Sequence, residues 1–197
     1  MSASFPVFAD ENLSPEDRLE RMSTINQELS DALHRLSSFQ KKVLSIKQSA
    51  TIEEALDQME LLLGEAVDFL YARLFLGTDP EHMEEVRTLC PDELTPDPSM
   101  MEWAWRNQEP AIIPLDGDAD TDVRCKLLLP LAGHVSTVGL LALWLEEDSS
   151  TYTQEQSTLL TMLARETAAV IETHRFRERI EQARSAVVNV VETVPHG

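Results

Sequence analysis

A heptad runs through residues 22–46 without a slip: Met22, Ile25, Leu29, Ala32, Leu36, Phe39, Val43 and Ile46 alternate spacings of three and four. That spacing keeps one apolar seam on one side of a long helix. The helix start is marked by Ser14 as cap, Pro15 at the first helical position, and Glu16 and Asp17 in the first turn, where the helix dipole favours acids. Residues 1–13 have no periodicity and read as a flexible tail. A helix over 15–49 would be about 50 Å long, well beyond the body of a small domain. Its seam can be covered by a later helix of the same chain or by a second copy, either of which is a helical bundle, and part of the run can lie on the chain's own core.

Thr51-Ile52-Glu53-Glu54 is a capping box that opens a second helix with Ile52, Leu56, Met59 and Leu63 on one face; Gly64 weakens it. The stretch 68–76 alternates as a strand does: Leu70, Ala72, Leu74 and Leu76 share one face, and Phe69, Tyr71, Arg73 and Phe75 the other. Residues 81–89 fit a short strand or a short helix, and three prolines between Pro91 and Pro98 mark a turn-rich connection. Asp97-Pro98-Ser99 starts a short helix to about Gln108. Ala111 to Leu115 is a short strand whose Pro114 places it at a sheet edge. Apolar strands over about 123–131 and 136–146 flank Ala132-Gly133-His134, a hairpin turn. Thr153 with Gln156 caps a last helix, whose broad stripe of Leu159, Leu160, Leu163, Thr167, Val170 and Ile171 faces a core. Beyond it the stripe narrows to a second heptad of Thr173, Phe176, Ile180, Ala183, Val187, Val190 and Val194.

Composition closes off several function classes. The chain of 197 residues allows one domain with appended helices, and 43% hydrophobic with 26% charged residues is the balance of a soluble globular protein. No apolar run approaches the roughly 18–20 residues needed to span a bilayer, and the start M-S-A-S-F-P-V-F-A-D lacks the pattern of a secretion signal, so a cytoplasmic protein without membrane insertion is expected. Thirty-five acidic against 16 basic residues give a net charge of -19, which repels phosphate backbones and argues against nucleic-acid binding. Cys90 and Cys125 supply neither a disulfide framework nor a C-x-x-C knuckle. No P-loop, H-E-x-x-H, G-x-S-x-G or G-x-G-x-x-G is present, and the five histidines are scattered; His34 and His174 read as solvated helix surface. No catalytic residue, metal site or cofactor is indicated.

The segment L-L-L-P-L-A-G-H-V-S-T-V-G-L-L-A-L-W (127–144), followed by Y-T-Q-E-Q-S-T-L-L-T-M-L-A-R-E-T-A-A-V-I-E (152–172), resembles the GAF domain family. The resemblance rests on Pro130-Leu131 ending one strand, on Gly139-Leu140 in the next, on Leu159, Leu160 and Ala164 in the exit helix, and on E-P-A-I-I-P-L-D (109–116) as edge strand. It implies an α+β fold: a GAF-like antiparallel sheet with long N- and C-terminal helices packed on one face and extending as coiled coil. The expected organisation is a tail at 1–13, a signalling helix at 14–50, a GAF-like domain at 51–173, and a coiled-coil linker at 174–197 leading to a further domain. The family resemblance further implies a non-enzymatic sensory or dimerisation module of a bacterial signal-transduction protein, of the histidine kinase, cyclase or regulator type found in two-component systems.

Two kinds of site follow. A parallel homodimer would use Met22, Ile25, Leu29, Leu36, Phe39, Val43 and Ile46 together with Phe176, Ile180 and Val187. A small-molecule pocket, with its ligand unknown, would lie on the sheet face away from the long helices and draw on Tyr71, Arg73, Trp103, Trp105, Arg106 and Cys125. The competing readings are a structural adaptor whose pocket is filled by side chains, in which the tryptophans are core and Arg73 pairs with an acid, and a thiol enzyme reducing methionine sulfoxide through Cys125 and Cys90. The N-K-x-F-D-E pattern of cyclic-nucleotide-binding relatives is absent, and neither cysteine is followed by the histidine common in bilin-binding members. Asp116, Asp118, Asp120 and Asp122 alternate like the start of a calcium loop, but Thr121 and Leu127 stand where that loop needs glycine and glutamate, so a solvated connector is expected.

Overall fold

The computed structural model describes residues 14–89, 94–115, 122–146, 149 and 152–192. Cys90 and most of the acidic run, 116–121, lie outside the described residues. Four helices are present, α1 (Pro15–Ile46), α2 (Ile52–Ala66), α3 (Pro98–Asn107) and α4 (Gln154–Glu192), with five strands, β1 (Tyr71–Gly77), β2 (Met83–Leu89), β3 (Ala111–Pro114), β4 (Cys125–Ala132) and β5 (Thr137–Leu145). The strands form one antiparallel sheet in the order β2-β1-β5-β4-β3.

Local chemistry explains the element ends. The Ser14 hydroxyl accepts from the Asp17 N–H at 3.2 Å, and the Asp17 carboxylate accepts from the Ser14 N–H at 3.3 Å, a reciprocal cap on α1. Thr51 accepts from Glu54 N–H at 3.1 Å, while Glu54 reaches back to the Ala50 N–H at 2.7 Å. The helix α3 starts on the Asp97 side chain and stops at Gln108, which adopts φ 56° in the left-handed region. Thr153 and Gln156 exchange backbone and side-chain bonds ahead of α4.

Of residues 81–89, Met83–Leu89 form a strand, β2, at the outer edge, and Pro114 sits in the opposite edge strand. The second strand proline, Pro130, is tolerated because β3 pairs with β4 only as far as Leu128. Every residue of β5 is buried, since this central strand is covered on both faces. On one face Ala72, Leu74 and Leu141 meet Leu56, Met59 and Leu63 of α2, and α4 lies against β4 and β5 through a stripe including Leu160, Leu163, Ala164, Thr167 and Ile171. On the other face sits α3.

The chain divides into two compact units, Met1–Ser38 and Phe39–Gly197. The division falls inside α1 rather than after it. Phe39, Val43 and Ile46 are buried in the single chain, Ile46 completely, and the flanking Lys42 and Lys47 pair with Glu65 and Glu166 at 2.6 and 2.9 Å. This corrects the placing of Phe39, Val43 and Ile46 in a dimer interface: these last three seam positions already belong to the chain's own core. Met22, Ile25 and Leu29 are exposed and Leu36 half-buried. Among the described residues no helix is long and apolar enough to cross a membrane.

Candidate functional site

The sheet face under α3 is where the sequence places a pocket. Register brings Tyr71 opposite Trp144, Arg73 opposite Ala142, and Phe75 opposite Leu140, so these side chains share that face. Tyr71, Phe75, Leu140, Ala142 and Trp144 meet Met101, Ala104, Val123 and Leu128 in one apolar cluster. Arg73, only 6% exposed, donates to the Glu85 carboxylate at 3.0 Å. The Lys126 ammonium lies 5.3 Å from the centre of the Trp144 ring, a cation–π distance.

The six candidate pocket residues separate. Tyr71 and Arg73 share this face, and Trp105, on α3, is buried. Trp103 is 43% exposed and Arg106 is exposed, paired with Glu102 at 2.7 Å, so both point away from the sheet. The helical period explains the correction: Met101, Ala104 and Trp105 form the inward edge of α3, which leaves 102, 103 and 106 outside. Cys125 is fully buried but belongs to the other face, because strand alternation groups it with Leu127 and Leu129 while Lys126 and Leu128 face α3. His174, expected on solvated surface, is half-buried, whereas His34 is exposed. Among the described residues no cluster of three or more His, Cys, Asp or Glu side chains could hold a metal ion.

A second constellation, which sequence reasoning missed, joins the β4–β5 hairpin turn to α4. The Glu172 carboxylate accepts the backbone N–H groups of His134, Val135 and Ser136 at 2.7, 3.1 and 2.8 Å, and the Ser136 hydroxyl at 3.3 Å. Burial acts to raise the Glu172 carboxyl, but those N–H groups outweigh it and hold the group below its ordinary value. A Cβ at position 133 would land on the same carboxylate, so a side chain there would displace Glu172 from the turn. One turn further along α4, Arg175 donates to the Gly77 carbonyl at 2.7 Å and, at 3.4 Å, to that of Val138. Burial, with Arg179 close by, pushes the Arg175 guanidinium down from its ordinary value. A groove of about 620 Å³ opens beside these residues, lined by Gly77, Val135, Val138, Phe176, Arg177 and Arg179 among others. The sequence signal is faint: a glutamate on a helix and a Gly-His-Val-Ser turn 36–39 residues earlier, with nothing local to connect them.

Past this junction α4 carries its second seam, and Phe176 and Ile180 are 64% and 52% exposed. The side chain of Val187 lies outside the described ones.

No protein-family model matches the chain, and no curated protein matches it. Solved structures do match. The GAF domain of a phosphoenolpyruvate-protein phosphotransferase from Coxiella burnetii aligns with a TM-score of 0.57 at 16% identity, covering 75% of this chain and 98% of that one. The GAF domain of a two-component sensor histidine kinase from Bacillus halodurans gives 0.52 at 14% identity, over 66% of this chain and 99% of that one. Free methionine-R-sulfoxide reductase from Neisseria meningitidis, solved with its substrate, gives 0.58 at 16% identity, over 75% and 93%. The chain has a GAF-like α+β fold, and at these identities the likeness is one of fold.

Proposed function

We propose that the chain is a non-enzymatic sensory and dimerising module of a bacterial signalling protein, working in the cytoplasm as a homodimer. One observation carries this reading. The single helix α4 covers the sheet through Leu160, Leu163 and Ile171 and then continues, unbroken, into a stretch whose apolar positions Phe176 and Ile180 are uncovered in the single chain. An element that is core at one end and an open seam at the other is suited to carry a packing change from the sheet to a neighbour. The exposed Met22, Ile25 and Leu29 give α1 a seam of the same kind. The occurrence of the fold in a two-component sensor histidine kinase supports the sensory class. Light scattering tests the dimer: a mass of one chain at micromolar concentration sinks this reading.

A second reading, the ligand-free structural adaptor, is favoured by the side chains that fill the α3 face, with Trp144 1% and Met101 8% exposed. Native mass spectrometry of gently purified protein separates the two, since a retained small molecule requires a sensor and a bare chain mass favours the adaptor. The complete burial of Cys125 weighs against a thiol enzyme, although a reductase shares the fold. Robust turnover of methionine sulfoxide would reverse that judgement.

A further inference from the structure

We propose that Glu172 and Arg175 form a clasp that makes the β4–β5 hairpin turn and the outgoing part of α4 move as one body, so that a displacement of the turn is delivered into the seam beginning at Phe176. The proposal rests on the reading of α4 as a relay and names where the relay is coupled. Three consecutive backbone N–H groups form a concave anion site, and here the chain's own carboxylate, 36–38 residues away, fills it. The bond is therefore a link between two elements and not a turn closing on itself. Arg175 lies at i+3 on the same side of α4 and ties the helix to the last residue of β1 and to β5 through carbonyl oxygens. Both residues fall in the interval between Ile171, the last fully buried position of α4 among the described residues, and Phe176, the first exposed apolar position of the seam. Val135, at the tip of the same turn, is 90% exposed and offers the turn to outside contact. Hydrogen bonds to a carboxylate are stronger and more directional than neutral ones, so the turn and helix have a defined engaged state, with release as the alternative.

Amide hydrogen exchange on the full chain tests this, comparing wild type with Glu172→Gln and Gly133→Ala. The first removes the charge; the second keeps it and pushes a methyl group onto the carboxylate. In both, the amides of 134–136 are expected to exchange about tenfold faster or more, as loss of charge-assisted bonds implies. The amides of 174–182 should accelerate with them while those of β5 keep their protection. Faster exchange confined to 134–136, or unchanged exchange everywhere, overturns the clasp. So does a uniform loss of protection that includes β5, because Glu172 would then support the whole fold and couple nothing in particular. A third variant, Arg175→Met, should loosen 174–182 and leave the turn amides slow. A monomeric wild type would sink the relay reading without touching the exchange result, whereas uncoupled exchange in a dimeric chain sinks the clasp alone.

Discussion

The Thr137 hydroxyl donates to the main-chain carbonyl of Trp105 at 3.2 Å, inside the protein, and so joins the end of α3 to the start of β5. A helix leaves its last four carbonyls without partners in its own backbone; Gln108 N–H takes that of Ala104, and Thr137 takes the next. Replacing Thr137 by Val keeps the shape and strands a buried acceptor, so a loss of about 1–3 kcal/mol is expected in urea unfolding. Thr137→Ser should keep most of the stability. A loss in Thr137→Ser with none in Thr137→Val would show that the methyl group, not the hydrogen bond, holds α3 in place.

Two glycines make opposite predictions. Gly139 sits on β5 where a Cβ would run into the Phe75 carbonyl and the Leu76 and Leu131 side chains, and a backbone oxygen cannot step aside cheaply. Gly139→Ala should destabilise by about 1–3 kcal/mol or more, as overpacking does. Gly64 lies inside α2 with open space, nothing within 4 Å, where an alanine methyl would stand, so Gly64→Ala should stabilise by about 0.5–1 kcal/mol. Thermal unfolding followed by circular dichroism reads both; a stabilised Gly139→Ala would contradict the close approach of β1 and β5.

These positions also show what can be read from the residues alone. The faces of β1, the hairpin, the edge strand β3 and the caps are legible because each is written locally, as alternation, as turn chemistry or as a Ser, Thr or Asp ahead of a helix. The face of Cys125 is not, since β4 and β5 are apolar on both sides and a strand buried twice shows no alternation to set its phase. Chemistry groups Trp103 and Arg106 with Trp105, but a helix of ten residues turns them to solvent. The heptad of α1 reads as one seam because its spacing does not change where the covering surface does. The clasp at Glu172 is a long-range pairing between a side chain and main-chain groups, for which a single sequence has no periodic signature.

The depressed Glu172 carboxyl makes a pH prediction whose sign is fixed. A carboxyl whose folded-state value lies below its unfolded one contributes stability that is fully present above the unfolded value, and loses it as pH falls through the folded value. Wild type should therefore exceed Glu172→Gln in stability at neutral pH, and the gap should narrow as pH is lowered from the ordinary glutamate range downward. Urea unfolding of both proteins across the acid range measures the gap, and taking the difference cancels the other carboxylates. A gap that stays constant would mean that the anionic form is not what the 134–136 amides bind.

The heptad of α1 makes the sharpest division between assembly and folding. Leu29 is 57% exposed in the single chain, whereas Phe39 is 5% exposed within the larger unit. A pair of charges at Leu29→Glu and Leu36→Glu should abolish the dimer and change the unfolding midpoint of the Phe39–Gly197 unit little, because neither residue lies in it. Phe39→Ala should cost about 3–5 kcal/mol of that unit's stability, the usual penalty for emptying a buried aromatic site. Light scattering and chemical unfolding on the same three samples tell the outcomes apart. If the double variant keeps the dimer mass, the α1 seam is not what holds two copies together. If Phe39→Ala leaves stability unchanged while splitting the dimer, then Phe39, Val43 and Ile46 serve an interface between copies and not the core of one chain.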